Sequence, residues 1–69
     1  MKVKVIIEHG TDGFYSAYID DDRLDFGLNG QGNTVQEAKD DFLKAYQEIR
    51  EMKEDEGELM PVLEFEFEY

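Results

Sequence analysis

Residues 33–52, NTVQEAKDDFLKAYQEIREM, predict the one long helix of the chain, which the other segments must cover. Thr34 followed by Glu37 forms a capping box, in which each of the two residues satisfies a backbone N–H that the start of a helix leaves free. Apolar residues then recur at spacings of three and four, as on one face of a helix: Val35, Ala38, Phe42, Leu43, Ala45, Tyr46, Ile49 and Met52. Because this face needs a partner, we expect the remaining segments to form a sheet that covers it.

Three other segments alternate between two faces in the way of half-buried strands. They are KVKVIIE at 2–8, FYSAYI at 14–19 and LEFEFEY at 63–69. The segment HGTDG at 9–13 predicts a hairpin between the first two, since Gly and Asp-Gly tolerate the positive φ of a tight turn. A charged turn then ends the second strand, and a short third strand is predicted over 24–28.

The helix is expected to end near residues 53–56, where Gly57 is a usual C′ residue and Pro61 forbids continuation. A tight connection into the helix is expected from three glycines, Gly27, Gly30 and Gly32. The order is then β-β-β-α-β. A right-handed crossover through the helix places the last strand parallel to the first, in the sheet order 3-2-1-4. The sequence therefore predicts one α+β domain over residues 1–69, a four-stranded mixed sheet with one helix on one face.

The other face of this sheet is left open. It contains Ile6 and one of two sets from the second strand, either Phe14, Ser16 and Tyr18 or Tyr15, Ala17 and Ile19. Ala17 favours the second set under the helix, because a small residue lets a helix approach closely. An apolar open face on so small a domain favours a homodimer through Ile6, Phe14 and Tyr18.

The charge of the chain is strongly negative. Its 18 acidic and 7 basic side chains give a formal net charge of −11, which repels nucleic acid, anionic membranes and phosphate ligands and favours a basic partner. The chain has no cysteine, and no apolar run approaches the roughly 20 residues of a membrane span. Met1 leads directly into a strand without a signal-peptide pattern, so we expect a cytoplasmic protein.

Two parts of the sequence resemble the antitoxins of the HicB family. They are the hairpin VKVIIE…DGFYSAYI with its Asp12-Gly13 turn, and residues 32–38, which are similar to the family's Gly-x-Thr-x-x-Glu-Ala signature. The resemblance covers nearly the whole chain and implies a partial ribonuclease-H-like fold. It also implies a domain that binds and blocks a small basic ribonuclease toxin of the HicA type. In place of the family's proline-containing turn after strand two, this chain has residues 20–24, DDDRL.

Members of the family commonly continue into a C-terminal helix-turn-helix or ribbon-helix-helix segment that binds their own promoter. This sequence ends at Tyr69, directly after the predicted fourth strand, so we expect either an excised N-terminal domain or a reduced relative of the family without the DNA-binding part. An alternative function is therefore a dimerisation or regulatory domain of a transcriptional regulator that binds DNA or RNA. This domain alone is not expected to bind nucleic acid, because its few basic residues are scattered among acids.

The candidate residues for binding the toxin are acidic and lie in two groups. The turn contributes Asp20, Asp21, Asp22 and Asp25, and the helix contributes Asp40, Asp41, Glu48 and Glu51. The turn residues do not have the spacing of a calcium loop, since Leu24 and Asp25 occupy positions where an EF-hand needs a ligand and a glycine.

No catalytic, metal or cofactor site is predicted. A ribonuclease-H-like nuclease needs carboxylates that converge on divalent metal ions from the first strand, the helix and the last strand. The centre of the first strand has only lysines and aliphatic residues, and the inward positions of the last strand are Leu63, Phe65 and Phe67. His9, the one histidine, has no second ligand or nucleophile placed beside it.

Overall fold

The computed structural model describes residues 1–24, 26–58 and 62–69 of the chain. The elements follow in the order β1 (Lys2–His9), β2 (Tyr15–Ile19), β3 (Asn29–Gly32), α1 (Val35–Asp55) and β4 (Glu64–Glu68). The four strands form one sheet in the order β3-β2-β1-β4, in which β1 and β4 are parallel and the other neighbours antiparallel. The predicted α+β architecture, with its order 3-2-1-4 and its single helix, is confirmed. Asp25 and Pro61 lie outside the described residues.

The ends of α1 follow from local chemistry. Thr34 Oγ1 accepts a hydrogen bond from Glu37 N at 3.1 Å, whereas the Glu37 carboxylate accepts from Asn33 N at 3.0 Å, one residue earlier than in a standard capping box. At the other end Gly57 has φ +80°, and the N–H groups of Gly57 and Glu58 donate to the carbonyls of Glu54 and Lys53. This is a Schellman motif, so the prediction of Gly57 as the C′ residue is confirmed.

The core lies between α1 and the sheet. Its buried side chains are Val3, Val5, Ile7, Ala17, Leu28, Ala38, Phe42 and Leu63. Phe42 is completely buried and makes edge-to-face contacts with Phe65 at 5.0 Å and Phe67 at 5.8 Å between ring centroids. Because Ala17 is buried in the same cluster, against which Tyr15 and Ile19 pack, the prediction that this set lies under the helix is confirmed.

The position predicted for the third strand is wrong. It was expected over 24–28, but β3 is Asn29–Gly32, and Gly30 and Gly32 belong to the strand rather than to a loop. A Cβ atom at Gly30 would lie 2.6 Å from Ala38 O and would collide with the backbone of Phe42, and one at Gly32 would lie 2.8 Å from Ala38 N. Only glycine fits where the helix backbone is this close to the strand, although glycine is a poor strand former.

The exposure of α1 also differs from its apolar pattern. Leu43 is 42% exposed and Met52 is 53% exposed, so the buried stripe is narrower than the sequence predicts. None of the helical sequence that the structure describes combines the length and the apolar character needed to cross a lipid bilayer.

Candidate functional site

Two of the three predicted dimer residues lie opposite each other on the open face of the sheet. Ile6 on β1 lies opposite Tyr18 on β2, and both side chains are partly buried. The Tyr18 hydroxyl donates a 2.7 Å hydrogen bond to Glu8 Oε1, and this bond to a carboxylate raises the pKa of Tyr18. Phe14 lies one residue before β2 and is 40% exposed. The strand therefore places only Tyr18, and not Phe14, beside Ile6.

Charged side chains surround this apolar pair. Lys2 Nζ lies 3.6 Å from Glu66 Oε1, and Lys4 Nζ lies 3.9 Å from Glu68 Oε2, so the ion pairs join β1 to β4 across the open face. Such exposed pairs contribute little to stability. They leave Ile6 and Tyr18 as a small apolar patch within a charged rim.

The acidic turn after β2 is attached to the start of β1. Asp20 N donates to Lys4 O at 2.9 Å, and Arg23 Nη2 donates to Lys2 O at 2.8 Å. Arg23 also holds the Asp21 carboxylate, with Nε 2.9 Å from Oδ1, and this bonding lowers the pKa of Asp21 to about 2. The Asp21 side chain is 8% exposed. Asp21 is thus occupied within the turn, whereas Asp20 and Asp22 are exposed.

The four acidic candidates on α1 are all exposed. A helix turns by about 100° per residue, so Asp41 and Glu48 share one row and Asp40 and Glu51 share another, both away from the buried Phe42. The Asp40 carboxylate accepts a hydrogen bond from Gln36 Nε2 at 2.9 Å. Asp41 Oδ2 accepts one from the backbone N–H of Gln31 at 2.9 Å, which ties the helix to the outer side of β3.

Two shallow grooves lie along β3. One, of about 450 Å³, is lined by residues that include Ser16, Gln31 and Asp41; the other, of about 460 Å³, by residues that include Phe26 and Asp21. Tyr18 and Asn29 line both. The structure therefore brings one acid of the turn and one acid of the helix to the same edge of the sheet, which the sequence did not predict. No local sequence signal identifies this edge strand, because glycine and asparagine are depleted in strands.

The basic side chains are largely neutralised. At least five of the seven pair with carboxylates: Lys2, Lys4, Arg23, Arg50 and Lys53. The ammonium group of Lys39 lies 5.4 Å from the centroid of the Phe67 ring, a cation–π arrangement. The excess of acidic over basic side chains therefore lies on the surface, where most of the basic groups are already paired.

His9 stacks on an aromatic ring and is not part of a cluster of metal ligands. Its ring centroid lies 4.3 Å from that of Tyr15, with the rings nearly parallel. The ring centroid of Tyr69 lies 5.7 Å from that of Tyr15, and the interaction with the Tyr15 side chain raises the pKa of Tyr69. Over residues 1–24, 26–58 and 62–69, no three histidine, aspartate or glutamate side chains converge in a way that could hold a metal ion.

Comparison with known proteins adds no relative to this description. No protein-family model, no curated protein and no solved structure matches the chain. The resemblance to the HicB family therefore stays a prediction, and the candidate site consists of the acids around the β3 edge and the patch formed by Ile6 and Tyr18.

Proposed function

We propose that this chain is a non-catalytic interaction domain of the antitoxin type, which binds and neutralises a small, basic ribonuclease toxin. The observation that supports it best is the exposed negative charge. The chain has a net charge of −11, its basic groups are largely paired, and the acids Asp20, Asp22, Asp40, Asp41, Glu48 and Glu51 are exposed. Such a surface complements the positive groove with which a ribonuclease holds RNA.

The charge has a kinetic consequence. Long-range attraction between oppositely charged proteins raises the association rate more than the affinity, and salt screens it. We expect the reading frame beside this chain to encode a small basic protein, and we expect the rate constant of its association with this chain to fall by about tenfold or more between low and high ionic strength. Stopped-flow fluorescence measures this rate, and loss of RNA cleavage on mixing measures neutralisation. A rate that does not change with salt contradicts the electrostatic part of the proposal.

A pair of matched variants locates the binding surface. One replaces Asp40, Glu48 and Glu51 on α1 by their amides, and the other replaces Glu64, Glu66 and Glu68 on β4, so that both lose three negative charges. Because steering depends on charge near the contact, we expect the α1 variant to slow association more than the β4 variant. Equal slowing by the two variants would mean that the net charge alone matters and that α1 is not the contact.

The alternative is a dimerisation or regulatory domain of a longer transcriptional regulator. The apolar pair of Ile6 and Tyr18 on the open face favours it. In either case residues 1–69 alone should not retard duplex or single-stranded nucleic acid in a gel at physiological salt, because neutralising phosphates requires free lysine and arginine. Micromolar binding to nucleic acid would contradict both functions and would favour a nucleic-acid-binding domain instead. The cytoplasmic location remains a prediction.

A further inference from the structure

The outer edge of β3 has no protecting charge or proline in its own sequence. Edge strands are usually blunted by charged residues, by proline or by a bulge, because their unpaired N–H and C=O groups attract other strands. The sequence of β3 is Asn-Gly-Gln-Gly, with neither charge nor proline. On the opposite edge of the same sheet, β4 has glutamate at every second position.

The register shows which backbone groups of β3 face outward. Ile19 N donates to Leu28 O, so this pair and the pairs Ala17–Gly30 and Tyr15–Gly32 are the hydrogen-bonded ones of the antiparallel ladder. Asn29 and Gln31, between them, direct their N–H and C=O groups away from β2. The outward N–H of Gln31 is occupied by the Asp41 carboxylate at 2.9 Å.

We propose that the β3 edge is the docking site for an extended segment of the basic partner, which adds a fifth strand to the sheet. A carbonyl of the added strand replaces Asp41 on the N–H of Gln31, and an arginine or lysine of the same segment pairs with the released carboxylate. Strand addition takes affinity from main-chain hydrogen bonds and specificity from flanking pockets. The grooves lined by Ser16, Tyr18 and Asn29 are the space into which alternate side chains of the added strand project.

The negative charge at the β3 edge determines which kind of strand can dock there. A second copy of this chain would bring another −11 and a second Asp41 to the same edge, whereas a basic segment neutralises the Asp41 that it displaces. Asp41 therefore has two roles, since it covers the edge in the free protein and selects a cationic strand. The inference rests on the proposed function, because it names the way in which the basic partner is held.

The test uses the whole chain and a defined probe, a capped peptide that alternates valine and arginine over seven residues. The control peptide has the same side chains but a methylated nitrogen at every position, so that it keeps the charge and loses the donors of both edges. In ¹H–¹⁵N spectra we expect saturable shifts of the Asn29 and Gln31 amides with the first peptide and weaker, diffuse shifts with the second. Equal binding of the two peptides, or shifts confined to other residues, would overturn the inference.

Two pairs of variants sharpen the test. Gln31→Pro removes an outward N–H that makes no ladder bond, and Gln31→Ala keeps it, so only the proline should weaken binding, by about fivefold or more. Asp41→Asn should weaken binding about two- to fivefold, the contribution of one exposed ion pair, while Asp40→Asn on the same helical turn should have less effect. Circular dichroism checks that the variants keep the fold. If proline and alanine at position 31 bind alike, the edge is not the site.

The outcome separates this inference from the proposed function. The neighbouring basic protein could bind with salt-dependent kinetics while Gln31→Pro leaves its affinity unchanged. That result would support the proposed function and would show that the β3 edge is not the docking site. If that protein fails to bind while the valine–arginine peptide binds at Asn29 and Gln31, the edge is a docking site and the antitoxin function fails. In the remaining case a second copy of this chain binds at the β3 edge. Light scattering would then show self-association that Gln31→Pro abolishes, and this result would overturn the choice of a basic partner.

Discussion

The two edges of this sheet differ in how they meet the helix and the solvent. At the β3 edge, Gly30 and Gly32 let the backbone of α1 pack directly on the strand, and the strand has no charged side chain. At the β4 edge, Phe65 and Phe67 fill the space below the helix, and glutamates alternate with them on the open face. One edge is thus made by close backbone approach and the other by large side chains.

This difference explains why only one edge is a candidate for strand addition. The glutamates of β4 are charged residues of the kind that keep an edge from pairing with other chains, whereas glycine, asparagine and glutamine are not. At the β3 edge the helix supplies the missing charge, because the Asp41 carboxylate accepts a hydrogen bond from the outward N–H of Gln31. Protection of the β3 edge therefore depends on tertiary structure, and it can be removed by a competing cation.

The largest effect on stability is expected from a substitution of Phe42, which lies on α1 between the β3 and β4 sides of the core. Its backbone is next to Gly30, and its ring reaches Phe65 and Phe67. Phe42→Ala leaves a cavity in a small core, so we expect the free energy of unfolding to fall by about 3–5 kcal/mol, measured by urea denaturation. Leu43→Ala on the exposed side is the control, and a similar loss there would contradict the assignment of the core.

The second largest loss of stability is expected from a substitution that tests the close approach of the α1 backbone to β3. Gly30→Ala places a Cβ against the backbone of α1, and we expect it to lower the free energy of unfolding by about 1–3 kcal/mol through overpacking. Gly27→Ala is the matched control, because a Cβ there meets no atom within 4 Å. The same urea experiment on both variants checks the prediction. Equal stability of the two would mean that the helix does not need glycine at this edge.

A third prediction concerns the open face between the two edges. We predict a homodimer through Ile6, Phe14 and Tyr18 at micromolar concentration, which tightens as salt screens repulsion over a Debye length of about 10 Å at 0.1 M. Ile6→Glu or Tyr18→Glu should weaken it at least about tenfold, because the new charge would be buried without a partner. Leu43→Glu changes the charge equally on an exposed part of α1 and should not weaken it. Light scattering decides, and a monomeric mass at every salt concentration would exclude the dimer.

The smallest effect is expected from Asp21, in the turn beside the β3 grooves. Arg23 lowers its pKa to about 2 from the ordinary value of 3.8, so the native state binds this proton more weakly than the unfolded state. Its contribution to stability is therefore complete above about pH 4 and disappears as the pH falls toward 2. The urea midpoint of unfolding should therefore be higher for the wild type than for Asp21→Asn above about pH 4, and this difference should shrink as the pH falls toward 2. Asp22→Asn, at an exposed neighbour, is the control, and a difference for Asp21→Asn that persists at pH 2 would contradict the assignment.

Much of the fold was predictable because its signals are local. The alternation of KVKVIIE and LEFEFEY, the Thr34–Glu37 cap and Gly57 each express the preference of a few adjacent residues, and each is in its predicted place. The candidate site was less predictable. The sequence identified the acids, but it could not show that Arg23 occupies Asp21 or that Asp41 reaches Gln31, ten residues earlier.

The sequence by itself determined the helix, its two ends, the hairpin and the strands with regular alternation, because capping, turn formation and periodicity act over a few residues. It also determined the net charge, which is the basis for proposing a basic partner. Tertiary structure alone decided where β3 lies, because Asn-Gly-Gln-Gly has little intrinsic preference for a strand and becomes one only where the backbone of α1 leaves no room for a Cβ. It likewise decided that the Asp41 carboxylate of α1 covers the outward N–H of Gln31 in β3, a contact between two elements that no local pattern indicates.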